Sequence, residues 1–287
     1  AVAATDNPSI VAPVNETDNI IILPWNDEKA LEETFAKSAL INTDKGKMGY
    51  IYLSEFYSNF NSADGRRSAD DIAKEVDKLK AAGAKGIILD LRYNGGGSLN
   101  DVVDMAGLFV GPGPIVQVKT SQAQPMILKS RNQVSFDGPF VILVNQGSAS
   151  ASEILAAAMQ DYKRAVIVGS PTFGKGTVQN VIDLNQFVRA STLGDLGALK
   201  TTTQKFYRIN GGSTQLEGVK SDIAIPDRYS YLKMGEKDID NAMPWDKIDP
   251  ADYKTWDKQN NFDLAIQKSR ERMSNNSQLN LIDDNAK

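Results

Sequence analysis

The chain has 287 residues, of which 41% are hydrophobic and 24% charged, the balance of a globular protein and not of a disordered one. Its formal net charge of −4 offers no long-range attraction to phosphate backbones or anionic lipid, which argues against nucleic-acid and polybasic membrane roles. It contains no His and no Cys, which excludes Ser-His-Asp and Cys-His catalysis, zinc sites built on imidazole or thiolate, and disulfides.

In chain order, residues 1–20 lack periodicity and read as a tether, and Asn26 or Asp27 can cap a short helix over Glu28–Lys37. Thr43–Lys47 reads as a turn and Met48–Leu53 as a strand. A helix opens at Ser68, with Ile72, Val76 and Leu79 at helical spacing, and Gly83 ends it. The apolar run from Gly86 to Arg92 then has the continuity of a strand buried on both faces, as in a parallel sheet. Two more such units follow: a helix from Ser98 through Val110 and a strand at Phe140–Asn145, then a helix at Ala151–Tyr162 and a strand at Ala165–Gly169. Strand–helix–strand units imply right-handed crossovers and a mostly parallel sheet, hence an α/β class. Beyond Gly174, Thr177–Leu184 and Leu199–Ile209 look like strands, and Asn210-Gly-Gly212 reads as a hairpin turn into Ser213–Leu216. From Tyr229 onward the polar texture and a charged helix near Phe262–Met273 suggest a peripheral extension. The expected division is a tether and short helix over 1–47, a core over 48–228 and a C-terminal extension over 229–287. No apolar run approaches the ~18 residues of a membrane span. The chain starts at Ala1 without a basic-then-apolar leader, so it reads as a processed product or a piece of a longer protein.

Three loops follow the predicted parallel strands, at the edge where α/β sheets bind ligands. Asn94-Gly95-Gly96-Gly97-Ser98 can turn backbone N–H groups toward an oxyanion, or can simply be a sharp turn with a Ser cap. Gly147-Ser-Ala-Ser150-Ala-Ser-Glu153 can present a serine hydroxyl in the crevice as a nucleophile elbow does, yet Ser150-x-x-Glu153 also spells a capping box. Gly169-Ser-Pro-Thr-Phe-Gly174-Lys175-Gly176-Thr177 nearly spells a phosphate loop. There Gly176 replaces the magnesium-ligating hydroxyl, and the residues after Thr177 alternate like a strand instead of opening a helix. In a chain without His, a serine nucleophile needs another base, and a lysine whose ammonium is destabilised by burial can serve. Ser150 and Lys175 lie on consecutive loops, close enough in principle for such a dyad.

Leu91–Ser98, Asn145–Glu153 and Gly169–Gln179, with Lys205–Gln215 and Asn241–Trp245, resemble signature blocks of the carboxyl-terminal processing (tail-specific) peptidases, in order across most of Met48–Trp245. The resemblance implies a crotonase/Clp-protease-like core with a mostly parallel sheet, carrying a C-terminal β hairpin and helical extension. It implies a Ser–Lys dyad with Ser150 as nucleophile, Lys175 as general base and Gln179 orienting Lys175. The N–H groups of Gly97 and Ala151 match the family's oxyanion donors, and Asp161 an acidic residue that supports the site. The expected activity is a serine endopeptidase acting through an acyl-enzyme on proteins with nonpolar, unstructured C-termini, with no metal or organic cofactor. Its partners would be protein or peptide substrates, not nucleic acid, and its location the periplasm. Family members usually carry a PDZ domain, and this chain contains no evident one. Rival readings are a non-catalytic scaffold that captures C-terminal peptides and a nucleotide-binding protein using Gly169–Thr177.

Overall fold

The computed structural model describes residues 20–22, 35–59, 65–121, 123–187, 194–257 and 262–287. In chain order its elements are β1 (Ile20–Ile22), β2 (Lys37–Thr43), β3 (Gly46–Tyr52), α1 (Ser68–Ala81), β4 (Gly86–Asp90), α2 (Leu99–Val110), β5 (Gly113–Lys119), β6 (Met126–Ser130), β7 (Phe140–Val144), α3 (Ala151–Asp161), β8 (Val166–Gly169), β9 (Thr177–Asp183), β10 (Ala198–Tyr207), β11 (Ile223–Ala224), α4 (Phe262–Ser274) and α5 (Ser277–Ala286). One sheet has the order β1-β2-β3-β4-β7-β8-β11. Its first three strands are antiparallel, and β3, β4, β7, β8 and β11 run parallel. A second, antiparallel sheet has the order β6-β5-β10-β9.

The continuous apolar runs do become the central parallel strands. Ile87 and Leu89 of β4, Ile142 and Val144 of β7 and Ile167 of β8 are all fully buried, and each such side chain contributes about 1.5–3 kcal/mol. The helices cover the sheet with their 3.6-residue stripes: Ile72, Val76 and Leu79 of α1, Val102, Met105 and Phe109 of α2, and Leu155 and Met159 of α3 are buried. Ser98 caps α2 as the sequence suggests, its hydroxyl accepting from Asp101 N–H at 3.2 Å. The buried Arg164 guanidinium closes the other end of α2, donating to Phe109 O at 2.9 Å and to Phe136 O at 2.8 Å. Burial pulls that guanidinium down to about 10, a group held by carbonyls in an apolar setting.

Several sequence expectations differ from the structure. The helix expected over Glu28–Lys37 lies almost wholly outside the described residues, as does the tether up to residue 19, and Lys37 itself opens β2. No element is expected between residues 111 and 139, yet β5 and β6 form there, β5 starting right after Pro112 and containing Pro114. Ser213–Leu216 is not a strand: Gln215 N–H donates to Ser213 Oγ (3.0 Å) and Gly218 N–H to Thr214 O (2.8 Å), a tight turn that buries Thr214 and Gln215. The C-terminal extension holds two helices, α5 having too few apolar residues to stand out by periodicity. Among the described residues no helix is long and apolar enough to cross a membrane.

Candidate active site

Adjacent parallel strands β4, β7 and β8 end at one edge of the sheet, so their following loops meet there. The meeting is hydrogen-bonded. Asn94 O accepts from Ala149 N–H (3.0 Å) and Ser152 Oγ (2.9 Å), and Phe173 N–H donates to Ser148 O at 3.0 Å. Asn94 is itself pinned, its amide donating to Leu53 O at 2.9 Å and accepting from Gly96 N–H at 2.9 Å.

The three serines of the middle loop have different fates. Ser148 is fully buried, its hydroxyl donating to Leu91 O at 2.8 Å and accepting from Asn145 N–H at 3.0 Å. Ser152 is fully buried and spent on Asn94 O. Ser150 alone stays partly exposed, at φ 56° and ψ −111°. A non-glycine residue at positive φ costs on the order of 1–3 kcal/mol and persists where the surroundings enforce it. Only half of the capping box forms: Glu153 Oε2 accepts from Ser150 N–H at 2.8 Å, while the Ser150 hydroxyl makes no cap hydrogen bond.

Glu153 organises the loops. It is fully buried, and its two oxygens receive four donors: Thr172 Oγ1 (2.6 Å) and Gly174 N–H (2.7 Å) at Oε1, Ser150 N–H (2.8 Å) and Lys175 N–H (2.9 Å) at Oε2. Burial pushes its carboxyl up to about 7 against the pull of those donors. The same bonds remove the phosphate-loop reading. Gly174 and Lys175 N–H belong to Glu153, Gly176 N–H donates to Gln215 Oε1 at 2.8 Å, and β9 starts at Thr177 where a phosphate loop would open a helix. Few inward N–H groups remain for an anion.

Lys175 is half-buried, and burial holds its ammonium below the usual lysine range. The Lys200 charge acts in the same direction, and the Glu236 and Glu153 carboxylates oppose it. Among the described residues Lys175 forms no ion pair within 4.0 Å. A desolvated lysine without a close counter-ion gives up its proton more readily than a solvated one.

Gly97 forms an isolated parallel bridge with Phe56. Phe56 N–H donates to Gly96 O and Ser98 N–H to Phe56 O, both at 2.8 Å, so the bridge leaves the N–H of Gly97 itself unused. Among the described residues neither Gly97 N–H nor Ala151 N–H has an acceptor. The glycine loop lies directly on the serine: a Cβ at Gly96 would stand 2.7 Å from Ser150 Cβ and 3.1 Å from Ala151 N. Gln179 is exposed on β9, opposite Thr202, and among the described residues its side chain makes no hydrogen bond. Asp161 sits at the far end of α3 from Ser150, roughly 16 Å along the axis. It is a buried anchor that pairs with Arg208 through Nη2 (2.5 Å) and Nε (3.1 Å) and accepts from Asn210 Nδ2 at 2.8 Å. A cavity of about 620 Å3 lies behind the third loop, lined by Pro171, Phe173, Leu216, Leu232 and Met273, and neither Ser150 nor Lys175 lines it.

Sequence reasoning assigned Glu153 only a capping role and passed over Gln215 and Glu236. A glutamate in the start of α3, Ala151–Met159, where every other residue but Ser152 is apolar, was the available signal for Glu153. Gln215 and Glu236 approach the site only through long-range folding.

Comparison with known proteins gives two profile matches along the chain. The profile of peptidase family S41 matches residues 47–225, and that of the C-terminal domain of tail-specific protease matches residues 229–287. The chain is 38% identical over 257 residues to the tail-specific protease of Haemophilus influenzae, covering 89% of this chain and 36% of that protein. It is 34% identical over 178 residues to the carboxy-terminal processing protease CtpA of Bacillus subtilis, covering 61% and 36%. The chain therefore spans little more than a third of the length of these two curated relatives. Among solved structures, the photosystem II D1 C-terminal processing protease superposes with a TM-score of 0.53 at 31% identity, covering 63% of this chain and 42% of that one.

Proposed function

The chain belongs to peptidase family S41, and on that premise we propose that it is a serine endopeptidase in which Ser150 is the nucleophile and Lys175 the general base. The observation that carries the reading is the Ser150 backbone. It is held at φ 56° between two buried, fully used serines, with its hydroxyl left out of the helix cap. A serine that only capped α3 would need neither the strain nor a free hydroxyl.

The steps follow from the surroundings. Neutral Lys175 takes the Ser150 proton as Oγ attacks a substrate carbonyl carbon, and the N–H groups of Gly97 and Ala151 receive the resulting oxyanion. Lys175 then returns the proton to the leaving amine, the acyl-enzyme forms, and water hydrolyses it with the same base. The orienting role of Gln179 rests on the family resemblance, since its side chain makes no hydrogen bond among the described residues, and Asp161 braces Arg208 at the far end of α3. Substrates are proteins with nonpolar, unstructured C-termini, and the protein works in the periplasm. A non-catalytic scaffold for C-terminal peptides would use the same crevice without acylation.

Incubation with a fluorophosphonate, which reacts with activated serines, separates the two. A single adduct on the Ser150 peptide, absent in Ser150→Ala and in Lys175→Ala, is the expected result. Failure of the folded chain to react would remove the enzyme reading.

A further inference from the structure

The loop that carries Lys175 is gripped from outside the peptidase core. Glu236 N–H donates to Phe173 O at 2.9 Å, two residues before Lys175. The buried Gln215 spans the gap: its Oε1 accepts from Gly176 N–H at 2.8 Å, and its Nε2 donates to Glu236 Oε1 at 3.2 Å and to Met243 O at 3.0 Å. Leu216 N–H donates to Gly174 O at 2.8 Å. Farther along, Trp245 Nε1 donates to Ser213 O at 3.0 Å, and Lys205 Nζ meets Asp246 Oδ1 at 2.5 Å. The segment from 235 to 246 is thus a strap tied to the base loop on one side and to the start of the 213–216 turn on the other.

We propose that Glu236 is a positioning residue for the base: with Gln215 it clamps the loop bearing Lys175 and fixes a carboxylate against that loop, while β10 supplies the Lys200 ammonium. The proposal rests on the reading of Lys175 as base given above. Two features make Glu236 more than a structural tie. Its carboxylate is one of the charges felt at Lys175, the others being Lys200 and Glu153. It also makes no ion pair of its own among the described residues, so its charge is not neutralised locally. A carboxylate at this place favours the ammonium, and Lys200 disfavours it. The family's C-terminal region thereby contributes directly to the chemistry of the core.

The test uses the full chain in wild-type, Glu236→Gln and Lys200→Gln forms. Glutamine at 236 keeps an oxygen for Gln215 and removes only the charge. Lys175 is titrated by the ε-carbon resonance of 13C-lysine-labelled protein, assigned by its loss in Lys175→Arg, and the fluorophosphonate labelling rate of Ser150 is followed over the same pH range. The expected midpoint moves down in Glu236→Gln and up in Lys200→Gln, by about half a unit each, or about threefold in labelling rate at fixed pH on the rising limb. Both shifts shrink with added salt. An unmoved midpoint, or movement in one direction for both variants, overturns the proposal. Lys175 resonances that move as expected beside an unmoved labelling limb support the strap's electrostatic role and remove Lys175 as the base.

Discussion

The backbone N–H groups of Ser150 and Lys175 donate to one and the same oxygen, Glu153 Oε2, at 2.8 and 2.9 Å. The two residues lie 25 positions apart in sequence, on loops after neighbouring strands, and a single buried carboxylate fixes their relative position. Strain at Ser150 is held in place by the same bond.

Glu153→Gln replaces one acceptor oxygen with an amide that faces two donors, which costs on the order of 3 kcal/mol at pH 8. The pH dependence has a definite sign. Because burial raises the folded value to about 7 from an ordinary 4.5, the folded state binds the proton more tightly. The group's stabilising contribution is full below about pH 4.5 and is lost as pH rises to about 7. Glutamine lacks this titration. The stability gap between wild type and Glu153→Gln, measured by urea unfolding, is therefore larger at pH 5 than at pH 8, by up to on the order of 3 kcal/mol. Equal gaps at the two pH values would show that Glu153 does not titrate in this window.

The serines divide by function. Ser150→Ala removes the nucleophile and leaves the Glu153 network intact, so folding is unchanged and fluorophosphonate labelling and peptide hydrolysis vanish. Ser148→Ala and Ser152→Ala each delete buried hydrogen bonds and lower stability by about 1–2 kcal/mol, with labelling retained per folded molecule. Hydrolysis surviving in Ser150→Ala would sink the assignment.

Much of this arrangement was legible because it is local. The apolar runs at Gly86–Asp90 and Phe140–Val144 sit between helices of clear period, so the sheet and the three loops at its edge follow from pattern alone. The absence of His leaves lysine as the available base, and the choice of Ser150 and Lys175 comes from the resemblance to the carboxyl-terminal processing peptidases. The strand β2 was missed where a helical reading ran up to Lys37, and β5 because Gly111–Pro114 reads as a loop. Glu153, Gln215 and Glu236 acquire their meaning from contacts across 20 residues or more, which no local pattern encodes.

Lys175→Arg keeps the positive charge but cannot deprotonate in the working range. It therefore loses labelling and hydrolysis as completely as Lys175→Ala, on the order of a thousandfold or more. Rates within tenfold of wild type in the arginine variant would mean that position 175 supplies only fixed charge.

Asp161→Asn tests whether the far end of α3 acts on chemistry or on folding. It strips the buried partner from Arg208, whose side chain is only 16% exposed, and breaking such a pair costs about 3 kcal/mol. Labelling rate per folded molecule should stay within a factor of a few, because Asp161 and Ser150 are separated by the length of α3. A large rate loss with unchanged melting temperature would instead place Asp161 in the active site.

Gly97 has almost no room for change. At φ 136°, a Cβ there would stand 2.3 Å from the carbonyl oxygen of Phe56, the oxygen that accepts from Ser98 N–H in the bridge. A backbone neighbour cannot swing aside as a flexible side chain can, so Gly97→Val must open the bridge or twist the loop off Ser150. The expected melting temperature falls by roughly 10 °C, as a loss of about 3 kcal/mol would produce in a domain of this size. Whatever protein stays folded should label more slowly, since the loop that offers an unused N–H beside Ala151 is displaced. The pairing of effects is the diagnostic: a Gly97→Val protein with wild-type melting and wild-type labelling would show that this loop neither packs on Phe56 nor faces the reacting carbonyl.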